Sequence, residues 1–437
     1  MIMDKKVFLQ NRIVRNAGWI IAGRVLQMGV NFVVGVLTAR YLKPANYGLL
    51  NYAGAYTAFF AALCTLGINS VIVKEFVDGP GKEGKIIGTA LGLRAVSSFL
   101  SACTILAVVS VVDREEALTI TVVGLCSIGV LFNSLEIFTF WFQSRLESRV
   151  SATAILAAHL ITASYKVFLI VSGKSVVLFA LATSIDYICV GLFLAIAYMR
   201  HGGGRLSFSF PYARRLLSRS VHYILPALMV SIYGQTDKLM LKQMLSESDV
   251  GYYATAVSIC TAWCFVLSAV IDSMHPGIME AHRDGQRARY ERQNRLLYAI
   301  VFWVSAAVSV AIVLFSRPII ELLFGESYLP AALPLRAITW YTAFSYLGVA
   351  RNAWIVCENK QKYLIWIYLS AAAANVLLNL WLIPIWGTVG AALASLAAQI
   401  VTTMVTPFFI KALRPNAIMM LEAIFLKGLK AENDLIE

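Results

Sequence analysis

The chain has 437 residues, of which 59% are hydrophobic and only 14% charged, and its formal net charge is +13. So apolar a composition excludes a water-soluble globular protein. A helix needs about 20 mostly apolar residues to cross a hydrocarbon core about 30 Å thick, and runs of that length recur along the sequence.

The first run, 16–39, follows an arm bearing Lys5, Lys6, Arg12 and Arg15; it is too long for a secretory signal and is expected to be a span. Further spans are expected over 48–73, 86–112, 117–143, 150–171, 176–198, 220–241, 251–278, 297–316, 331–356, 364–383 and 389–410. Twelve spans place both termini on one face. Segments on that face hold 25 Lys and Arg, against 6 on the other. The positive-inside rule therefore makes both termini cytoplasmic. The net positive charge is accounted for by topology, and no nucleic-acid-binding motif accompanies it, so no nucleic-acid partner is expected.

The 7 cysteines lie in or beside apolar runs without metal-ligand spacing and read as small packing residues. After the sixth span, "MRHGGGRLSFSFPYARRLLSRS" combines three consecutive glycines with five arginines and looks like a hinge between halves. The expected organisation is an N-terminal six-helix lobe (1–198), a cytoplasmic basic linker (199–219), a C-terminal six-helix lobe (220–413) and a cytoplasmic tail (414–437). The tail mixes apolar and charged residues at helical spacing, as a helix lying on the membrane surface or a frayed extension would.

The halves repeat. An offset of 203 lays "YLKPANYGLLNYA" (41–53) on "MLSESDVGYYATA" (244–256), and a slightly larger one lays "WFQSRLESR" (141–149) on "WIVCENKQK" (354–362). Six spans per copy make the repeat parallel, and carriers of that kind hold substrate at the repeat interface. A central cavity between two lobes, exposed alternately to either side, is the expectation.

Ten ionisable residues fall inside spans: Arg24, Arg94, Lys166, Lys238, Arg336 and Arg351, with Glu136, Asp186, Asp237 and Asp272. A charge at mid-bilayer costs roughly 2.5–3.5 kcal/mol on insertion scales, so these groups should face an interior. Polar residues fall in stripes at helical spacing: Arg24, Gln27 and Asn31; Asn133, Glu136 and Gln143; His159, Thr162 and Lys166; Ser231, Gln235, Lys238 and Lys242; Thr261, Ser268, Asp272 and His275; Ser395, Gln399, Thr402 and Thr406. Arg24, Lys238, Arg94, Arg336 and Arg351 are candidate substrate contacts, the three last also being placed to snorkel to the interface. Asp237 and Asp272 are candidates for ion coupling, with an interhelical pair the plain structural alternative for Asp237. Glu136, Asp186 and Lys166 are candidates for structural pairing in the interior. The histidines His159 and His275 read as satisfied polar residues before proton relays. Six cations against four acids leave the interior positive, which selects an anion. No nucleotide loop, metal cluster or catalytic triad is present in the sequence, so neither catalysis nor a cofactor is expected.

The stretches "TARYLKPANYGLLNYAGAYTAFFAALCTLGI" (38–68), "LPALMVSIYGQTDKLMLKQMLSESDVGYYATA" (225–256), "RPIIELLFGESYLPAALPLR" (317–336) and "ANVLLNLWLIPIWGTVGAALAS" (374–395) resemble the Wzx-type polysaccharide flippases. These belong to the superfamily that also holds multidrug and toxic-compound (MATE-like) exporters and the peptidoglycan-precursor flippase. The resemblance implies an all-α integral membrane protein of twelve helices in two six-helix lobes around a central cationic cavity. It implies translocation of undecaprenyl-pyrophosphate-linked oligosaccharides, such as O-antigen units, across the bacterial inner membrane. Membrane lipids, H+ or Na+ as coupling ion, and a polysaccharide polymerase with its chain-length regulator are the implied partners. Arg40, Tyr41, Leu42, Pro44, Tyr47 and Gly48 match an outer-turn motif of that family, Asp237 its acidic position in the seventh helix, and Lys238 the basic residue that often follows. Rival expectations are a peptidoglycan-precursor flippase, usually of fourteen spans; a drug or cation exporter, which wants an acidic cavity; and a non-transporting scaffold for glycan assembly.

Overall fold

The computed structural model describes residues 2–79 and 81–427; before Val25 only Gly18 and Gly23 are described beyond the backbone. Every regular element among the described residues is helical. Eight helices are long and apolar enough to cross a membrane, or nine if one pair bent by 42° counts as a single span. Two of these are far too long for one crossing. The stretch Val25–Asp78 has 54 residues, which at 1.5 Å per residue would reach about 80 Å, more than twice the hydrocarbon thickness.

The chain itself shows where these long helices are interrupted. Helix α1 (Ile2–Thr65) is broken at Lys43, φ 64°, immediately before Pro44. Proline removes a helical hydrogen bond and drives the preceding residue out of the α region. In α14 (Leu364–Ile400) the break is Gly387, φ 57°, three residues after Pro384. A Cβ on Gly390 would strike the carbonyl of Leu382, although eight residues of straight helix separate two positions by about 12 Å. The chain therefore doubles back there, and Gly387 supplies the left-handed backbone that this needs.

Contacts divide the chain into two units, Met1–Ser231 and Ile232–Glu437. The first contains α1, α2 (Asn69–Asp78), α3 (Glu83–Val112), α4 (Ala117–Phe132), a 3₁₀ turn (Asn133–Ile137), α5 (Phe138–Ser144), α6 (Ser148–Val171) and α7 (Val176–Arg200). Its core gathers Ile72, Phe76, Trp141, Phe142, Leu194 and Tyr198. Helix α8 (Phe210–Met244) starts in this unit and ends in the second. The second unit continues with α9 (Glu247–Thr261), α10 (Phe265–Arg283), α11 (Arg287–Phe324), α12 (Ala332–Ile338), α13 (Tyr341–Cys357), α14, a π turn (Val401–Val405), α15 (Thr406–Phe409) and α16 (Arg414–Ile424). Its core is built on Tyr290, Leu297, Tyr298, Leu347, Trp354 and Ile367. Of the expected tail helix, α16 is held in this unit by Arg295 Nε to Glu422 at 2.8 Å and Asn416 Nδ2 to Tyr298 OH at 2.7 Å.

Two of the aligned pairs mark helix boundaries in both halves. Lys43, where α1 breaks, aligns at the offset of 203 with Ser246, which caps α9 by accepting from the backbone N–H of Asp249. In the second alignment Leu146 (φ 56°) falls on Asn359 (φ 53°), and both follow helices that end in the same way. The N–H groups of Glu147 and Lys360 reach back to the carbonyls of Phe142 and Ile355, each at 2.9 Å. Each pair satisfies a carbonyl that the helix end leaves free.

Within 199–219, the residues from Phe210 onward form the opening turns of α8. The preceding strip is seated along α3, on Gly84, Gly88 and Gly92. The Ser207 N–H donates to the Gly84 carbonyl at 3.2 Å, and the Ser209 N–H to Thr89 Oγ1 at 3.2 Å. A Cβ at Gly88 would lie 2.6 Å from the Ser207 carbonyl oxygen, and one at Gly92 2.9 Å from the Phe208 ring. The start of α8 is tied down as well: Leu216 is 1% exposed, Tyr212 OH donates to Glu75 at 2.6 Å, and Arg219 pairs with the same carboxylate. Gly88→Val is therefore expected to cost about 1–3 kcal/mol through overpacking, read as a lowered Tm of the purified protein. Gly29→Ala, where nothing lies within 4 Å of the added Cβ, serves as the control that should melt like wild type.

Candidate functional site

Each unit carries buried polar centres. In the second, Asp237 of α8 is 4% exposed. Its Oδ1 accepts from Asn375 Nδ2 at 2.9 Å and Asn379 Nδ2 at 2.6 Å, both on α14. Its Oδ2 accepts from Tyr253 OH of α9 at 2.5 Å and from the Ser395 hydroxyl beyond the turn at Gly387. Four donors occupy the lone-pair positions of one carboxylate. No cationic side chain among the described residues forms a salt bridge with it. Lys238, its neighbour in sequence, points about 100° away around the helix and is half-buried.

Helix geometry explains the convergence. Asn375 and Asn379 are one turn apart and share a face of α14; the reversal at Gly387 brings Ser395 back to the same level. One oxygen is left over: Asn379 Oδ1 is buried with no hydrogen-bond partner. The cluster thus surrounds one carboxylate with two amide N–H donors and two hydroxyl donors, a set that holds an ionised carboxylate without a cationic partner. Among the described residues no group of three or more His, Cys, Asp or Glu could hold a metal ion.

The rest of the Ser395 stripe is spoken for inside the same unit. Gln399 donates to Tyr341 OH at 3.2 Å, the Thr402 carbonyl accepts from Arg351 at 2.9 Å, and Thr406 meets Ser370 at 2.6 Å. The Gln399 and Thr406 side chains and the Thr402 carbonyl thus tie α14 and the π turn to neighbours in their own unit. The stripe's spacing reported an interior but could not say which one.

In the first unit a cavity of about 450 Å³ lies among α1, the 3₁₀ turn, α5, α6 and α7. His159 of α6 is held on both sides, with Nδ1 2.9 Å from Asp186 Oδ1 and Nε2 2.5 Å from the amide nitrogen of Gln27. Glu136, on the 3₁₀ turn, also lines the cavity. Behind it Arg94 is fully buried and donates to Asn69 Oδ1 at 3.3 Å, to the Asn133 carbonyl at 2.9 Å and to Asn133 Oδ1 at 3.0 Å.

The remaining expected site residues are scattered. Arg351 is 1% exposed, with one bond to Thr402 and an unpartnered Nε. Arg336 is exposed and donates to Ser316 Oγ at 2.7 Å. Asp272 is exposed on α10, and Lys166 is half-buried two turns beyond His159. The Arg24 side chain lies outside the described residues. The structure thus brings Glu136 and Asp186 to one cavity, with Arg94 beside it, and sets Asp237 in a separate cluster. Sequence reasoning did not single out Asn375, Asn379 or Tyr253; the signal was the asparagine pair four apart in "NVLLN", where an apolar span has no other use for two amides.

A family model described as polysaccharide biosynthesis protein matches residues 13–282. Among curated proteins none matches the chain in sequence. Solved structures do share its fold. One is an inward-facing multidrug resistance MATE family transporter of the MOP superfamily, with TM-score 0.67 and 16% identity, covering 90% of this chain and 96% of that one. Another is the lipid II flippase MurJ in an inward closed conformation, with TM-score 0.66 and 14% identity, covering 93% and 91%. A third is a MOP superfamily transporter from Pyrococcus furiosus described as having a binding pocket of reverse polarity, with TM-score 0.65 and 15% identity, covering 96% of each chain.

Proposed function

Because the chain belongs to the polysaccharide biosynthesis protein family, we propose that it is a flippase for undecaprenyl-pyrophosphate-linked oligosaccharides, such as O-antigen units. It works by alternating access in the bacterial inner membrane, with both termini cytoplasmic. The observation that carries this reading is the family match over 13–282 in a chain of long apolar helices. A membrane protein of polysaccharide assembly with the fold of transporters moves its glycan and does not synthesise it.

The physical task is to pass sugars and a pyrophosphate through a medium that solvates neither, while the polyprenyl tail remains in lipid. Cationic side chains on the path, for which Arg24, Lys238 and Arg351 are the first candidates, supply counter-charge. Membrane potential assists, since outward movement of an anion gains about 2.3 kcal/mol per charge per 100 mV. Resetting the carrier then falls to a coupling ion, H+ or Na+, bound at Asp237 or at Asp272. The burial of Asp237 without a salt-bridged cation among the described residues supports it as the first of these. The polymerase and chain-length regulator would receive the product.

Deleting the gene should leave a lipid-linked oligosaccharide accumulating on the inner leaflet and strip the corresponding surface polysaccharide, with plasmid-borne protein restoring both. Unchanged surface glycan would overturn the reading, and so would accumulation of the peptidoglycan precursor alone.

A further inference from the structure

We propose that the segment 199–219 is a docking surface for anionic phospholipid headgroups, with Arg205, Arg214 and Arg215 as the phosphate contacts and Phe208 and Phe210 as the apolar anchors. Nothing in it depends on what the chain carries.

The helices on either side set its place. Helix α7 ends at Arg200 and α8 begins at Phe210, and both are long and apolar enough to cross a membrane. Helix α8 has 35 residues, about 52 Å of rise against a hydrocarbon core of about 30 Å. Its apolar run starts near 220, so the turns over 210–219 stand in the headgroup layer. The strip before them is pinned by its backbone. The Gly203 N–H donates to the Tyr198 carbonyl at 3.0 Å, Tyr198 OH donates to the Gly204 carbonyl at 2.8 Å, and the Ser207 N–H is held on Gly84. Side chains carried on a backbone already held in place lose less entropy when they bind.

Charge complementarity names the occupant. The segment 199–219 holds five arginines and no Asp or Glu. The contacts of Arg145 with Glu83 and of Gly84 with Arg205 put 74–85, 144–149 and 199–219 at one end of the first unit, where Lys and Arg number 10 against 4 acids. At the other end, over 40–47, 113–116 and 172–175, the numbers are 4 and 3. Two of the 4 acids are already taken: Glu75 by Arg219 and Tyr212, and Glu83 by Arg145 at 2.9 Å. Arg200, Arg205, Arg214 and Arg215 are exposed and form no salt bridge among the described residues. On α11 of the second unit, by contrast, Arg287 is shared between Glu291 and Glu358, and Arg295 between Glu291 and Glu422.

Beside the free guanidinium groups stand large apolar side chains, Phe208 at 56% and Phe210 at 76% exposure. Water is a poor surrounding for two such rings. At a bilayer surface they enter the acyl boundary while the neighbouring arginines remain with the phosphates, and a guanidinium fork takes two oxygens of one phosphate. A zwitterionic lipid carries its own cation beside that phosphate. The preference therefore falls on a lipid whose negative charge is unopposed, such as phosphatidylglycerol.

The full chain, purified in detergent and titrated with phosphatidylglycerol or with phosphatidylcholine, tests this by native mass spectrometry of the bound lipids. Wild type should hold phosphatidylglycerol in preference. The triple variant Arg205→Gln, Arg214→Gln, Arg215→Gln should weaken phosphatidylglycerol binding by about tenfold or more, since each cation at an anionic surface is worth about fivefold. Its phosphatidylcholine binding and Tm should stay at wild-type values, because none of the three is salt-bridged within the protein. The charge-matched triple Arg283→Gln, Arg289→Gln, Arg292→Gln, on the second unit, should leave phosphatidylglycerol binding as it is. Phe208→Ser with Phe210→Ser should weaken both lipids alike. Equal weakening by the two arginine triples would reduce the effect to net charge and overturn the proposal. Displacement of the lipid by millimolar glycerol 3-phosphate would overturn it in favour of a soluble phosphate ester, and a wild type without lipid preference would leave the arginines to an acidic protein instead.

Discussion

Asp237→Ala is expected to destabilise the second unit by about 3–5 kcal/mol, the range found when one member of a buried, hydrogen-bonded charged set is removed. The substitution leaves Asn375, Asn379, Tyr253 and Ser395 as donors around an empty space. The hydroxyls can rotate and the amide of Asn379 already reaches Asn375 Oδ1 at 3.2 Å, but at least one buried N–H is left unpaired, and each such orphan costs about 1–3 kcal/mol. Asp237→Asn should cost less, because its NH₂ can donate to the two hydroxyls while its oxygen keeps the two amide donors. The pair of variants separates fold from coupling. In detergent, Asp237→Ala should melt well below wild type and Asp237→Asn close to it. In proteoliposomes, Asp237→Asn should lose the dependence of flipping on an imposed ion gradient. An Asp237→Ala protein melting like wild type would mean that the cluster does not hold α8, α9 and α14 together as its hydrogen bonds indicate.

What the sequence could and could not say about this cluster follows from the range of each signal. Hydropathy ended the first span at residue 39, and the break itself falls at Lys43 beside Pro44, a proline that acts on its own helix and needs no partner. The break at Lys43 and the cap at Ser246 are likewise local events, and they fall at positions that the offset of 203 aligns. That Asp237 is costly in a span was equally legible, but its partners lie 138 and 142 residues away on α14, and periodicity within one helix carries no information about which other helix faces it. The polar stripe through Ser395 illustrates the limit, since its spacing is right and its surroundings are those of a packed unit. The 3₁₀ turn at Asn133–Ile137 had no announcing residue at all: no proline or glycine lies within it. The glycines at 84, 88 and 92 were visible as a spacing of four, yet only the seating of 203–209 against them shows why a side chain is excluded.

That unannounced turn makes Arg94 the second large effect. Helix α4 stops at Phe132 and passes directly into the 3₁₀ turn that Asn133 opens. Arg94 Nη2 takes up both the Asn133 carbonyl and the Asn133 side chain, and Nη1 reaches Asn69, the first residue of α2. One guanidinium therefore closes two helix interruptions from α3. Arg94→Met keeps much of the volume but takes a donor from the Asn133 carbonyl and from two amide oxygens, a loss of about 4–5 kcal/mol at the low end of the roughly 1.5–3 that a hydrogen bond to a charged donor is worth. Arg94→Lys should recover less than half, because an ammonium cannot reproduce the planar fork. Arg351 supplies the contrast. It is as deeply buried and, like Arg94, leaves Nε unpartnered, but it makes one hydrogen bond, at 2.9 Å to the Thr402 carbonyl, where Arg94 makes three, and exchanging so poorly satisfied a charge for an apolar side chain is often neutral or stabilising. Thermal melts of the purified variants should therefore separate Arg94→Met, strongly lowered, from Arg351→Met, nearly unchanged. If glycan export nevertheless falls tenfold or more in Arg351→Met, that arginine is kept for the substrate's anion, whereas equal melting losses for both would make it a second staple.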